Sequence, residues 1–74
     1  MTARAAIEVV ANGKPYEVAR GTTVEAFVRA RELDPRYVIV EWNGEPLARD
    51  RYGDALLGSG DRLELVRAVA GGAR

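Results

Sequence analysis

The sequence predicts an α+β domain in which a mixed sheet of four to five strands packs on one helix, followed by a flexible C-terminal Gly-Gly tail. Three observations carry this reading. Two Asn-Gly pairs, Asn12-Gly13 and Asn43-Gly44, each follow an apolar run; one stretch between them has helical periodicity; and Gly71-Gly72 stands near the end of the chain. Asn-Gly is the strongest short-range hairpin signal, because both residues accept the positive φ of a type I′ turn.

The elements follow in order. Ile7, Val9 and Ala11 alternate with Glu8 and Val10, and Tyr16 and Val18 alternate with Glu17 beyond Asn12-Gly13, which is the pattern of a half-buried hairpin. Gly21-Thr22-Thr23-Val24-Glu25 reads as a helix start, with Thr22 as N-cap and Glu25 three residues on completing a capping box. The helix is expected over about residues 23–32, with Val24, Phe27 and Val28 on one face and Glu25, Arg29 and Glu32 outward. Pro35 biases Asp34 away from the α region and marks its end. Tyr37–Trp42 is dense in β-branched and aromatic residues and reads as the most buried strand. Glu45-Pro46-Leu47 returns from Asn43-Gly44 as a short edge strand, since Pro46 cannot donate to a ladder. Leu56 and Leu57 are expected to anchor the charged, turn-rich segment before the Gly58-Ser59-Gly60-Asp61 loop. A last strand alternates Leu63 and Leu65 with Arg62, Glu64 and Val66 and ends near Ala68.

The resulting order, β-β-α-β-β-β, is the connectivity of a β-grasp fold, the ubiquitin-like sheet wrapped over one helix. Residues 1–68 form the domain and residues 69–74 the tail. At 74 residues the chain should bury only about 60% of its unfolded surface, which leaves little room for a deep catalytic cleft.

Composition removes most chemistries. Lys+Arg and Asp+Glu are both 11, so the basic excess that nucleic-acid binding needs is missing. Cysteine and histidine are absent, which excludes disulfides, thiolate or imidazole metal ligation, and Cys or Ser-His nucleophilic catalysis. No apolar run approaches the roughly 20 residues of a membrane span, and the reading is of a cytoplasmic protein with no membrane or nucleic-acid partner. Asp50 and Asp54 sit in a loop, where their spacing carries no geometry. Gly58-Ser59-Gly60 lacks the helix start and lysine of a phosphate cradle, and Asp61 reads as a turn-former. Tyr37, Trp42 and Tyr52 could face a partner or pack on the sheet, and Arg67 reads as a solvated charge before the tail.

The tail is where function is expected. Glycine loses the most backbone entropy on ordering and offers no side chain to a core, so paired glycines there are a poor structural device. They are the thinnest peptide that another protein's active site can admit. Gly72 is thus a candidate reacting residue, and Val69, Ala70, Gly71 and Gly72 the segment threaded into partner enzymes.

The segments Asn12-Gly13, Gly21-Thr22-Thr23-Val24, Val38–Glu45, Gly60–Val66 and Gly71-Gly72 together resemble the ThiS/MoaD family of bacterial sulfur carriers, on its ThiS-like side. The resemblance implies a carrier for thiamin biosynthesis that is not itself an enzyme and binds no cofactor. An E1-like adenylating enzyme would use ATP to activate the carboxylate of Gly72. A sulfur donor such as a cysteine desulfurase would then supply the sulfur of a glycyl thiocarboxylate, and thiazole synthase would receive it. Members of the family end at the second glycine, whereas this chain continues with Ala73-Arg74, which implies a processing peptidase. Two alternatives stay open: a carrier for molybdopterin or another sulfur-transfer pathway, and a ubiquitin-like module that binds partners non-covalently.

Overall fold

Each Asn-Gly pair closes a hairpin. In the computed structural model, which describes residues 5–68, β1 (Ala6–Ala11) and β2 (Lys14–Ala19) pair antiparallel from Ala6↔Ala19 to Ala11↔Lys14. Asn12 (φ 52°) and Gly13 (φ 82°) occupy the turn, and Asn43 (φ 53°) and Gly44 (φ 87°) do the same between β3 (Val38–Trp42) and β4 (Glu45–Leu47). Positive φ at both central residues is what a type I′ turn requires. The last strand, β5 (Arg62–Arg67), lies between the hairpins, parallel to β1 and antiparallel to β3, giving the order β2-β1-β5-β3-β4. The mixed five-stranded sheet with one helix, α1 (Val24–Ala30), is the β-grasp arrangement read from the sequence. Pro46 lies in β4 at the sheet edge, as expected of a residue without an N–H.

One face of the sheet carries the core. Ile7, Val9, Ala11, Val38, Val40 and Leu63 meet Val24, Phe27 and Val28 of α1, all buried. Phe27 is 2% exposed and packs edge-on to Tyr16, their ring centroids 5.4 Å apart, a favoured aromatic geometry. Tyr52 is buried as well, and its hydroxyl donates to the Val38 carbonyl at 2.6 Å, so the core tolerates its polar end.

The helix start differs from expectation by one residue. Thr23, not Thr22, is the N-cap, and its Oγ1 accepts from Ala26 N at 3.0 Å. The reason is tertiary: Val24 N donates to Ala55 O and Glu25 N to Tyr52 O, while Leu57 N donates to Thr22 O. The 52–57 segment thereby satisfies the first two helical N–H groups and fixes which threonine caps. Thr22 Oγ1 donates instead to Ala19 O at 2.6 Å. Glu25 forms no capping box and pairs with Arg29 one turn on at 3.0 Å.

The helix also ends earlier than residue 32, and Pro35 is not what stops it. Glu32 takes φ 63°, Glu32 N donates to Arg29 O and Leu33 N to Val28 O. These two bonds make a Schellman motif with glutamate in the position usually given to glycine. Pro35 instead opens a 3₁₀ turn, Pro35–Tyr37, whose N-cap is Asp34.

Two further expectations are corrected. The 38–42 run is not the most buried strand: it buries Val38 and Val40 but leaves Ile39 49% exposed, whereas β1 buries Ile7, Val9 and Ala11, and the central strand is β5. β-branched residues suit either face of a sheet, so composition could not separate the two cases. Of the Leu56-Leu57 pair only Leu57 anchors the segment, because Leu56 is 59% exposed.

Phe27→Ala should cost about 3–5 kcal/mol, read by urea denaturation. A loss below about 1 kcal/mol would contradict the central place of Phe27 in the core.

Candidate functional site

The predicted reacting segment, Val69, Ala70, Gly71 and Gly72, lies outside the described residues. What the structure does place is the strand from which it issues. The pairing pattern of β5 is read directly from its bonds: Asn43 N donates to Arg62 O and Ala68 N to Tyr37 O on the β3 side, while Val10 N donates to Asp61 O and Asn12 N to Leu63 O on the β1 side. Even-numbered residues of β5 therefore face β3 and odd-numbered residues face β1, as strand alternation demands.

Both turn asparagines extend this pairing with their side chains. Where β1 turns away into its hairpin, Asn12 Oδ1 accepts from Leu65 N at 2.8 Å and Asn12 Nδ2 donates to Leu65 O at 3.1 Å. The side-chain amide thus supplies the acceptor and donor that the next residues of a longer β1 would have offered. On the other flank Asn43 Oδ1 accepts from Arg62 N at 2.9 Å, and Asn43 Nδ2 donates to Asp61 Oδ1 at 3.2 Å. β5 is gripped by one asparagine amide on each side, at Arg62 on the β3 side and at Leu65 on the β1 side.

Asp61 gathers the loop before β5. Its Oδ2 accepts from Gly58 N at 2.7 Å and from Trp42 Nε1 at 2.9 Å. Partial burial alone would raise this carboxyl, but the hydrogen bonds from Gly58, Trp42 and Asn43 outweigh it and hold it below the ordinary carboxylate value. Asp61 is thus more than a turn-former, and Trp42 is half-buried with its indole N–H committed within the domain.

At the far end of β5 the chain is held by the 3₁₀ turn. Asp34 Oδ1 accepts from Arg36 N at 2.9 Å, and the carboxylate binds the Arg36 guanidinium at 2.8 Å. These side-chain and main-chain bonds from Arg36 lower the Asp34 carboxyl to about 2. Arg36 in turn lies over the Tyr37 ring, 5.3 Å from its centroid. Tyr37, whose carbonyl receives Ala68 N, is therefore fixed at both neighbours.

The surface around this end is apolar with acidic flanks. Ile39 pairs directly with Val66, which is 55% exposed, and Tyr37 is also exposed. Next along the same two strands Glu41 stands opposite Glu64, a like-charge arrangement that disfavours a bare sheet face. On the other face two adjoining depressions of about 520 and 260 Å³ share Glu32 and Leu33. Asn12, Lys14, Arg31 and Leu65 line the larger, with the Arg31 guanidinium 4.5 Å above the Tyr16 ring. Arg67 and Ala68 line the smaller. Among the described residues no group of acidic side chains could hold a metal ion, and no helix is long and apolar enough to cross a membrane.

The asparagine roles were missed in sequence because an Asn-Gly turn already explains its asparagine by φ alone. The signal that could have found them is the choice of Asn over Asp or Gly in both turns, since only Asn brings a donor and an acceptor together.

A mixed five-stranded sheet with one helix packed on it defines the class: a β-grasp, ubiquitin-like domain. The ThiS family model matches residues 9–72, and the chain belongs to that family. It is similar to the sulfur carrier protein ThiS of Bacillus subtilis (strain 168), 34% identical over 62 residues, covering 82% of this chain and 94% of the relative. It is also similar to the thiazole synthase of Magnetococcus marinus, 34% identical over 61 residues. That match covers 82% of this chain and 19% of the synthase, so the chain spans about a fifth of its length. Among solved structures, the crystal structure of the thiamine biosynthesis protein ThiS from Geobacter metallireducens superposes with a TM-score of 0.75 at 32% identity, covering 89% of this chain and 100% of that one.

Asp61→Ala should cost about 1–3 kcal/mol near neutral pH, since it leaves the Trp42 and Gly58 donors unpaired. A carboxyl depressed in the folded state stabilises fully above its unfolded value of about 3.9 and loses that contribution as pH falls through the folded value. The gap between parent and variant, measured by urea denaturation, should narrow below about pH 4. A gap that widened in acid would contradict the assignment.

Proposed function

We propose that this chain is a sulfur carrier for thiazole formation in thiamin biosynthesis, charged as a thiocarboxylate on Gly72 after removal of Ala73-Arg74. The observation that carries the reading is that the ThiS family match extends to Gly72, the second glycine of a tail that follows a firmly paired last strand. The chain has no cysteine or histidine, so its sulfur would sit on a carbonyl carbon and not on a thiol.

The chemistry follows from the weakness of a carboxylate as an electrophile. An E1-like adenylating enzyme would bind ATP, and a Gly72 carboxylate oxygen would attack the α-phosphorus, releasing pyrophosphate and leaving an acyl-adenylate. The terminal sulfur of a persulfide carried by a cysteine desulfurase or similar donor would then attack the carbonyl carbon, the C–O bond to AMP would break, and AMP would depart to leave an acyl disulfide. A thiol reductant would cleave its S–S bond, the thiol being oxidised to a disulfide, and release the glycyl thiocarboxylate. Its sulfur is a soft, ionised nucleophile suited to a carbonyl or imine of a thiazole precursor held by thiazole synthase. The carrier catalyses none of these steps. Its own contribution is reach: the four residues from Val69 to Gly72 extend at most about 14 Å from Ala68, and glycine at the end leaves no side chain to collide with an enclosing wall.

The thiazole synthase reading is supported by the synthase of Magnetococcus marinus, which contains a segment similar to this chain within its own length. A domain joined to the enzyme it serves meets it at high effective concentration.

The test uses the chain ending at Gly72, the adenylating enzyme of the same organism and ATP, with pyrophosphate release as readout. Gly72→Ala should reduce charging about a hundredfold, the scale of a misplaced reacting group, and leave the melting curve unchanged. Unimpaired charging of the variant, or no adenylation of the chain ending at Gly72, would contradict the reading.

A further inference from the structure

Asn12 and Asn43 are the only side-chain amides in the chain, which has no glutamine, and each is followed by a glycine. That pairing is chemically labile in a free peptide. Glycine has no Cβ to shield its main-chain nitrogen, which can attack the amide carbon of the asparagine before it. The C–N bond to the amide nitrogen breaks, ammonia leaves, and a five-membered succinimide forms. Water then opens either side of the ring, to aspartate or to isoaspartate. The net reaction consumes one water, releases one ammonia and needs no oxidant or reductant.

Burial protects neither pair. Asn12, Gly13, Asn43 and Gly44 are all exposed, and a Cβ built on Gly13 or Gly44 would meet nothing within 4 Å. What holds the two amides is hydrogen bonding. The Asn12 carboxamide is clamped to the Leu65 main chain by both its atoms, at 2.8 and 3.1 Å. That of Asn43 is held by Arg62 N at 2.9 Å and by Asp61 Oδ1 at 3.2 Å. In both, Nδ2 is the donor, and it is also the group that must leave. Attack by the glycine nitrogen requires the carboxamide to rotate out of these bonds.

The product cannot restore the grip. A carboxylate accepts but does not donate, so at residue 12 an oxygen would face the Leu65 carbonyl oxygen. At residue 43 an oxygen would face the Asp61 carboxylate, and two carboxylates sharing a site repel. Asp61 also accepts from Gly58 N and Trp42 Nε1, so repulsion there disturbs the loop that enters β5. Isoaspartate adds one carbon to the main chain and spoils the two-residue turn as well.

We propose that Asn12 and Asn43 are latent deamidation sites, held closed by their bonds to β5 and Asp61 and released by local opening, so that each conversion is a one-way loosening of the last strand.

The test is incubation of the full chain at mildly alkaline pH, in buffer and in urea, read by peptide mapping with mass spectrometry. Each conversion adds about 1 Da and one negative charge. Both sites should convert at least about tenfold more slowly in the folded chain than in urea, as befits a reaction that waits on local opening. Equal rates in the two conditions would overturn the inference. Asp61→Ala removes the acceptor of Asn43 Nδ2 and leaves both bonds of Asn12 in place. In that variant the rate at Asn43 relative to Asn12 should rise at least about threefold, the scale of one lost hydrogen bond. Asn12 registers any general loosening of the fold, so a ratio unchanged from the parent would overturn the inference. Asn43→Asp should lower the melting temperature, and should lower it less when combined with Asp61→Asn. An equal loss in both backgrounds would overturn the repulsion assigned to the product. The comparison of buffer with urea uses the unmodified chain and decides the matter even if a variant fails to fold.

Discussion

The rest of the structure depends on two asparagine amides that grip β5 from opposite sides. A β-grasp sheet inserts its last strand between two hairpins that turn away from it, so that at Arg62 and Leu65 main-chain groups of this strand are met by side chains. Asn12 and Asn43 supply these from the residue that makes each turn. Their left-handed backbone closes the hairpin, and their side chains complete the ladder on β5 at Leu65 and Arg62. A buried or half-buried main-chain group without a partner is expensive. Substituting either asparagine by glycine would keep the turn and lose the grip. Asp61 extends the same arrangement by tying Asn43 and Trp42 to the loop that enters β5.

Much of this was legible from residues. The two hairpins, the edge position of Pro46, the inward faces of β1 and α1, and the mixed sheet over one helix all follow from turn chemistry and periodicity. The helix cap was displaced because Thr22 and Thr23 are equally good caps in isolation, and the choice was made by carbonyls of Ala55 and Tyr52 some 30 positions away. The helix end was displaced because Glu32 adopts a conformation that sequence rules assign to glycine. Tyr52 was undecided from sequence and is a core residue, since its hydroxyl finds the Val38 carbonyl only once β3 is in place. The proposed reacting segment stands apart: Gly71-Gly72 was singled out from the sequence because glycine offers no side chain to a core, and it lies outside the described residues, whereas the side chains that hold the end of β5 are hidden inside ordinary turn signals.

What the domain contributes to the proposed carrier role is a firmly held last strand. Its rigidity runs through β5 to Ala68, which is still bonded to Tyr37, and Tyr37 is itself fixed by the Asp34–Arg36 pair. A carrier that must deliver a carboxylate to several enzymes gains from a firm root and a thin end, because the reacting atom is then located by docking of the domain. The exposed Ile39–Val66 pair and the facing Glu41 and Glu64 give the solvent-facing side of β3 and β5 an apolar centre with an acidic flank. Repulsion between like charges also disfavours two copies meeting through this face.

Intact-protein mass spectrometry of the chain purified from its own cells tests the central claim most directly. The carrier account predicts a species ending at Gly72, together with a fraction about 16 Da heavier from exchange of one oxygen for sulfur. Protein found only with Ala73-Arg74 still attached, under conditions that induce thiamin synthesis, would contradict it.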